Sequence, residues 1–247
     1  MNIRQYLDST YLKTPLQAGI TESESIQVAK EYIQEAISEH FKLIMIRPDR
    51  VALAKEMIDK AHSNVQIGTV IGFPEGTASV EEKLKEANQA IQDGADDLDF
   101  VCNYEAFKND DVALVKNEIL AGTALGLKNN KVVKWIIEVA ALNETQIIQL
   151  SALIKNIVIS NFEEEDYASV FVKSSTGFYK TENNLPNGAT IPTITLMLEN
   201  ASPLPVKAAG GVRTYEEAVE MIRLGVKRIG TSGAKAIANG ENTPIEY

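Results

Sequence analysis

The stretch from Ser79 to Val101, SVEEKLKEANQAIQDGADDLDFV, decides how the rest of the chain is read. Ser79 and Glu82 form a capping box, in which each side chain satisfies the other's backbone amide. The helix they open closes at Gly94, and Asp97-Leu98-Asp99-Phe100-Val101 follows at once as a strand. The same unit recurs on both sides. Upstream, Thr21 and Glu24 make a capping box, and Ile26, Ala29, Ile33 and Ile37 recur at helical spacing. Lys42 to Ile46 is strand-like and stops at Arg47-Pro48. A helix around Val51 to Ala61 leads to the β-branched run Val65 to Ile71. Downstream, a helix from about Val112 to Leu125 precedes Val132 to Glu138, and Asn143 caps a helix to about Val158. Strand candidates follow at Ser169 to Lys173, Pro205 to Ala209 and Arg228 to Gly230. Thr214 with Glu217 caps a helix between the last two, with Gly225 as its stop.

Counting Tyr6 to Tyr11, eight strands alternate with helices, and no Pro- or Gly-rich linker divides them. Such alternation implies parallel pairing through right-handed crossovers. Eight units in 247 residues is the size of an α/β (β/α)8 TIM barrel, read here as a single domain over 1–247. The competitor is an open doubly wound sheet. That fold usually carries a Gly-rich turn after its first strand, and none follows Tyr11 or Ile46. The barrel is preferred.

Composition narrows the function. The chain is 45% apolar and 23% charged, and its 24 Lys+Arg against 34 Asp+Glu leave a net charge of −10. That balance argues against nucleic acid and anionic membranes as partners, whose phosphates require a positive field. Small anionic substrates stay open, because a few backbone amides outweigh a distant net charge. Cys102 is the single cysteine, which excludes an intramolecular disulfide and a Cys-rich zinc site. With only His40 and His62 besides, no metal is expected, and no organic cofactor is implied. The N-terminal MNIRQYL lacks a signal-peptide core, and no apolar run approaches 18 residues, so a soluble, cytoplasmic protein is expected.

Inside a barrel, alternate strand residues point inward and are ordinarily branched and apolar. Several strands break that rule. If Leu98 and Phe100 face the helices, Asp99 points inward. Lys134, Ile136 and Glu138 oppose Val133, Trp135 and Ile137. Val170 and Val172 oppose Lys173, Val206 opposes Lys207, and Asp8 shares a face with Thr10. Three successive strands therefore each offer one lysine to the interior, opposite one or two aspartates. The plain alternative is that these lysines snorkel to solvent or form a stabilising ion-pair cluster. Repeated burial of like charge is costly without a purpose, and amine chemistry supplies one. A free lysine of pKa about 10.4 is neutral in only about one molecule in 2,500 at pH 7. A nearby ammonium and desolvation both disfavour its charged form. Lowering the pKa to about 7 takes roughly 4.6 kcal/mol and makes about half the molecules neutral. A neutral amine can attack a carbonyl, and the resulting iminium is an electron sink for a C–C bond.

Two glycine-rich turns accompany the lysines. Lys207 runs into Ala208-Ala209-Gly210-Gly211-Val212-Arg213, and the last strand runs into Gly230-Thr231-Ser232-Gly233, followed by Ala234 to Ile237. Turns after the seventh and eighth strands that feed helix N-termini are where barrels often bind phosphate. Ser232 adds a hydroxyl donor.

The segments Val170-Phe171-Val172-Lys173-Ser174-Ser175-Thr176-Gly177-Phe178 and Pro205 to Arg213 resemble the two signature lysine strands of the deoxyribose-phosphate aldolase family. Leu7 to Lys13, Gly72-Phe73-Pro74-Glu75-Gly76, Gly94 to Asp99 and Arg228 to Ser232 also match, in the same order and over nearly the whole chain. The resemblance implies a class I aldolase that reversibly cleaves 2-deoxy-D-ribose 5-phosphate to acetaldehyde and D-glyceraldehyde 3-phosphate. It implies Lys173 as the Schiff-base lysine, Lys207 as the second lysine that depresses its pKa, and Asp99 as a proton carrier. Asp8, Thr10, Lys134 and Thr176 are implied as supporting residues. Gly177, Gly210, Gly211, Val212, Gly230, Thr231 and Ser232 fall where the family surrounds phosphate.

The chain departs from the family pattern at Ser9 (often His), Val139 (often Thr) and Gly233 (often Ser, one phosphate donor fewer). Residues 159–168, with their acidic run Glu163 to Asp166, replace a shorter turn and read as a solvated loop. Tyr179 to Thr190 reads as a polar loop at the mouth. Residues 239–247 read as a mobile tail ending in Tyr247, a candidate proton relay or simply a frayed end. Cys102 and Trp135 read as packing, and His40 and His62 as surface or helix-end residues. A homodimer is the family-level expectation. Two further readings stand beside the first: a class I aldolase for another phosphorylated aldol, and a non-catalytic phosphosugar-binding barrel.

Overall fold

The computed structural model describes residues 2–182 and 185–241. In chain order its elements are β1 (Leu7–Tyr11), α1 (Pro15–Ala18), α2 (Glu22–Ser38), β2 (Leu43–Ile46), α3 (Val51–Lys60), β3 (Gln66–Ile71), α4 (Val80–Asp93), β4 (Asp97–Val101) and α5 (Tyr104–Lys108). There follow α6 (Val112–Lys128), β5 (Val132–Ile136), α7 (Glu144–Asn161), β6 (Val170–Lys173), α8 (Ile191–Ala201), β7 (Val206–Ala209), α9 (Tyr215–Leu224), β8 (Arg228–Thr231) and α10 (Ala234–Ala238). Among the described residues the eight strands close into one parallel barrel in sequence order, with β8 paired to β1. No helix among them is long and apolar enough to cross a membrane.

The capping boxes set three helix starts: Thr21 with Glu24, Ser79 with Glu82, and Thr214 with Glu217 exchange both bonds. Each satisfies two amides that a helix N-terminus leaves unpaired. The outward strand residues and the inner helix faces form one continuous core, in which Leu98, Phe100, Val133, Trp135, Val172 and Val206 are all buried. Trp135 stacks on Phe100 at 4.9 Å and donates to Thr123 Oγ1 at 3.0 Å. Cys102 is buried in the same core, and burial pushes its thiol well above the usual range. His40 and His62 are exposed at left-handed positions just after α2 and α3.

The interior of the barrel is divided. On the β1–β3 side Leu12, Leu43, Met45 and Val70 form a small apolar cluster. The rest of the interior, from β4 round through β8 to Asp8 on β1, carries charge. Register brings the charged positions level: Asp99 lies opposite Lys134, and Lys173 opposite Lys207.

Several segments differ from the sequence reading. Helices α1, α5 and α8 have no counterpart there. α8 opens with Pro192 and the β-branched Ile191, Thr193 and Ile194, which hide its period; Thr190 caps it through Thr193. The acidic run is not a loop: residues Glu164–Ser169 wind into a 3-10 helix, although Glu163 to Glu165 remain exposed. The fifth strand stops at Ile136 rather than Glu138, because Glu138 takes the left-handed conformation (φ 53°). Of the expected mobile tail, 239–241 are held. Arg4 donates to Asn239 Oδ1 at 3.1 Å, and the Glu241 amide donates to the Ala236 carbonyl at 2.8 Å. Tyr247 lies outside the described residues.

Candidate active site

Strand alternation sends Asp8, Asp97, Asp99, Lys134, Lys173, Lys207 and Arg228 to the inside of the barrel, and all are buried. Asp99 Oδ2 accepts from Lys173 Nζ at 2.8 Å and from Lys207 Nζ at 3.0 Å. Its other oxygen accepts from Lys134 Nζ at 3.0 Å, and Lys134 also donates to Asp97. Lys207 pairs with Asp8 Oδ2 at 2.6 Å, and Arg228 with Asp8 Oδ1 at 2.6 Å. Four basic side chains thus face three acidic ones, so the cluster is electrically balanced when one lysine is neutral.

The electrostatics single out Lys173. Burial disfavours its ammonium most, Asp99 opposes that, Lys207 adds to it, and the outcome is a pKa of about 8. At pH 7 about one Lys173 in ten is then neutral, roughly 250 times the fraction of a free lysine. Lys207 goes the other way. Burial works against its charge too, but Asp8 and Asp99 outweigh it and raise the pKa. The sequence reading named a neighbouring ammonium together with desolvation; both act in the structure, and burial is the larger cause. Asp99, within bonding distance of the ammonium at 2.8 Å, limits the depression. Burial likewise opposes ionisation of Asp99, but Lys134, Lys173 and Lys207 hold its carboxyl well below the usual range.

Lys173 lines an open mouth at the end of the barrel. Thr10, Thr176 and all seven residues expected around phosphate (Gly177, Gly210, Gly211, Val212, Gly230, Thr231 and Ser232) line it, so strands distant in sequence converge there. Gly210 and Gly211 have φ of 74° and 97°, a turn that side chains resist. At Gly230 a Cβ would stand 3.1 Å from Lys207 Cε, so its absence leaves room for that lysine. Gly233, where a hydroxyl donor is lacking, gives its amide to Thr231 Oγ1 at 3.1 Å. Val139 packs into the core.

Sequence reasoning missed several lining or clustered residues. Asp97 was legible, since it shares the inward parity of Asp99. Arg228 was legible in the same way from Gly230. Leu12, Asn187 and Arg213 reach the mouth from loops, where no periodicity marks them. Phe178 also lines it and packs edge-on against Phe73 at 5.1 Å. Among the described residues no group of three His, Cys, Asp or Glu could hold a metal ion. The aspartates are taken up by ammonium and guanidinium groups.

The fold and site together define a (β/α)8 barrel that buries a lysine of depressed pKa beneath its mouth. Residues 5–240 match the model of the DeoC/LacD family aldolases, and the chain belongs to that family. It is 37% identical over 239 residues to the deoxyribose-phosphate aldolase of Thermococcus kodakarensis, covering 96% of each chain. It is 36% identical over 249 residues to deoxyribose-phosphate aldolase 1 of Oceanobacillus iheyensis, covering 100% of each. The solved structure of the tetrameric deoxyribose phosphate aldolase from Aeropyrum pernix superposes with a TM-score of 0.76 at 25% identity, over 96% of this chain and 89% of that one.

Proposed function

We propose that this chain is a class I aldolase that reversibly cleaves 2-deoxy-D-ribose 5-phosphate to acetaldehyde and D-glyceraldehyde 3-phosphate through a Schiff base on Lys173. The observation that carries the reading is one atom: Asp99 Oδ2 holds both Lys173 and Lys207 beneath the mouth. Relatives that bear the name of this activity over their full length support the substrate.

Neutral Lys173 Nζ attacks C1 of the open-chain sugar, and loss of water leaves an iminium. The C2–C3 bond breaks as its electron pair moves into that iminium, and the C3 hydroxyl loses its proton to become the aldehyde of the triose phosphate. The enamine takes a proton at C2, and hydrolysis releases acetaldehyde and the free amine. Asp99 carries protons in these steps, with Lys207 as its partner and Asp8, Thr10, Lys134 and Thr176 holding the arrangement. The phosphate lies among Gly177, Gly210, Gly211, Val212, Gly230, Thr231 and Ser232. No cofactor takes part.

We further read residues 1–247 as one catalytic domain, located in the cytoplasm and assembled as a homodimer. Two-fold pairing is the commonest homo-oligomer, and sedimentation decides between it and a tetramer. Borohydride reduction in the presence of acetaldehyde tests the chemistry. Covalent mass on the peptide containing Lys173 is the expected result, and no adduct would leave a phosphosugar-binding barrel. Rates on a panel of phosphorylated aldols identify the substrate.

A further inference from the structure

Glu138 is buried just beyond β5, and its close polar neighbours are uncharged groups in the turn after β6. Thr176 directs both its hydroxyl hydrogen and its backbone N–H to Glu138 Oε2, the latter at 3.2 Å. That oxygen is an acceptor only. Oε1 faces Ser175 Oγ at 2.8 Å. The same Oγ lies 2.6 Å from the Asn187 carbonyl oxygen and accepts the Gly177 N–H at 2.9 Å.

A hydroxyl has one hydrogen and two lone pairs. The Asn187 carbonyl can only accept, so it takes the Ser175 hydrogen. The contact with Oε1 then needs a second hydrogen, and the carboxyl is the group that can carry it. With Oε1 protonated every partner is satisfied: Glu138 donates to Ser175, Ser175 to Asn187, and Gly177 fills the remaining lone pair. With Oε1 ionised, the one Ser175 hydrogen would face two acceptors, Oε1 at 2.8 Å and the Asn187 carbonyl at 2.6 Å, and one of these buried oxygen pairs would lack a hydrogen.

We propose that Glu138 is a neutral carboxylic acid and a positioning residue for the anion-binding mouth, acting through the relay Glu138–Ser175–Asn187. The relay ties the turn after Lys173 to the loop that crosses β7. Asn187 Nδ2 donates to the Gly177 carbonyl at 3.2 Å, and the Ala189 amide donates to the Gly210 carbonyl at 2.6 Å. Thr176, Gly177, Asn187 and Gly210 all line the mouth. Neutrality suits the task, since a carboxylate here would repel the substrate phosphate and favour the ammonium form of Lys173. Burial, as the largest influence, raises the Glu138 pKa against the hydrogen bonds of Thr176 and Ser175 and the charge of Lys173. The titratable groups facing it are Lys173 from β6 and Tyr104 from α5, whose phenol burial pushes up to about 12. The proposal rests on the aldolase reading above for the identity of the anion.

Infrared difference spectra of wild type against Glu138→Gln test the proton directly. A protonated-carboxyl band at neutral pH, absent in the variant, is expected. Glu138→Gln keeps one donor and one acceptor and should leave KM for deoxyribose 5-phosphate near wild type. Glu138→Ala removes both and should raise KM about tenfold or more, the size of a lost buried hydrogen bond. Borohydride trapping of acetaldehyde on Lys173 should persist in both variants. Ser175→Ala breaks the relay without touching the carboxyl, and should raise KM even if Glu138→Ala does not fold. Absence of the band, or a Glu138→Gln defect as large as that of Glu138→Ala, overturns the proposal. Failure of the aldolase reading is distinguishable, because it would abolish trapping in the wild type and leave the infrared band in place.

Discussion

Replacing Lys207 by methionine removes one charge from the cluster while keeping the length of the side chain. Asp8 still has Arg228 at 2.6 Å, and Asp99 still has Lys134 at 3.0 Å, so no carboxylate is left unpaired. Lys173 loses the cation that shares its carboxylate oxygen. Two ammonium groups on one oxygen stand about 5 Å apart, and at an effective dielectric of about 20 they repel by about 3 kcal/mol, roughly two pKa units. Lys173 would move from its present value of about 8 towards about 10, where about one molecule in a thousand is neutral at pH 7. Imine formation with acetaldehyde, trapped by borohydride across a pH series, reads this directly. The midpoint should move to higher pH by more than one unit, with a loss of about 100-fold at pH 7 that alkaline buffer recovers. The midpoint is the decisive quantity, because a lost proton donor would lower the rate without moving it. A midpoint still near 8 would mean that burial alone sets Lys173 and that the electrostatic role given to Lys207 is wrong.

Asp99→Asn should shift that midpoint the opposite way, since Asp99 is the main influence raising the Lys173 pKa; trapping should gain at low pH while full turnover falls. An upward shift would refute the account. Lys173→Met should abolish trapping and yet stabilise the fold. A buried lysine whose folded pKa is about 8, against about 10.4 unfolded, destabilises by up to about 3 kcal/mol at pH 7. The sign follows from linkage: the unfolded chain binds more protons, so the penalty is fully present below pH 8 and fades as pH rises towards 10.4. Calorimetry at pH 7 should show a Tm higher by several degrees, and a lower Tm would contradict the burial argument. Gly122→Ala should destabilise by about 1–3 kcal/mol through overpacking. Its Cβ would meet the Trp135 ring at 2.9 Å, and an unchanged denaturant midpoint would mean that the ring yields freely.

The strands, their order and most helix boundaries were legible from the amino-acid order because their causes are local. Ser79 with Glu82 caps its own helix, Gly94 ends it, and the alternation in Asp97 to Val101 sends Asp99 inward whatever its neighbours do. The same parity carried Lys134, Lys173 and Lys207 to the interior before any contact was known. Barrel closure decided the rest. It brought β8 against β1, so that Arg228 and Lys207 share Asp8 across some 200 residues of chain. It also made burial, more than the neighbouring charge, the chief cause of the depressed Lys173 pKa. Glu138 left its strand because its oxygens found Ser175 and Thr176, partners that adjoin it only once β6 lies beside β5. Desolvation and hydrogen-bond supply are sums over everything that surrounds a group, and those surroundings exist only when distant segments have packed.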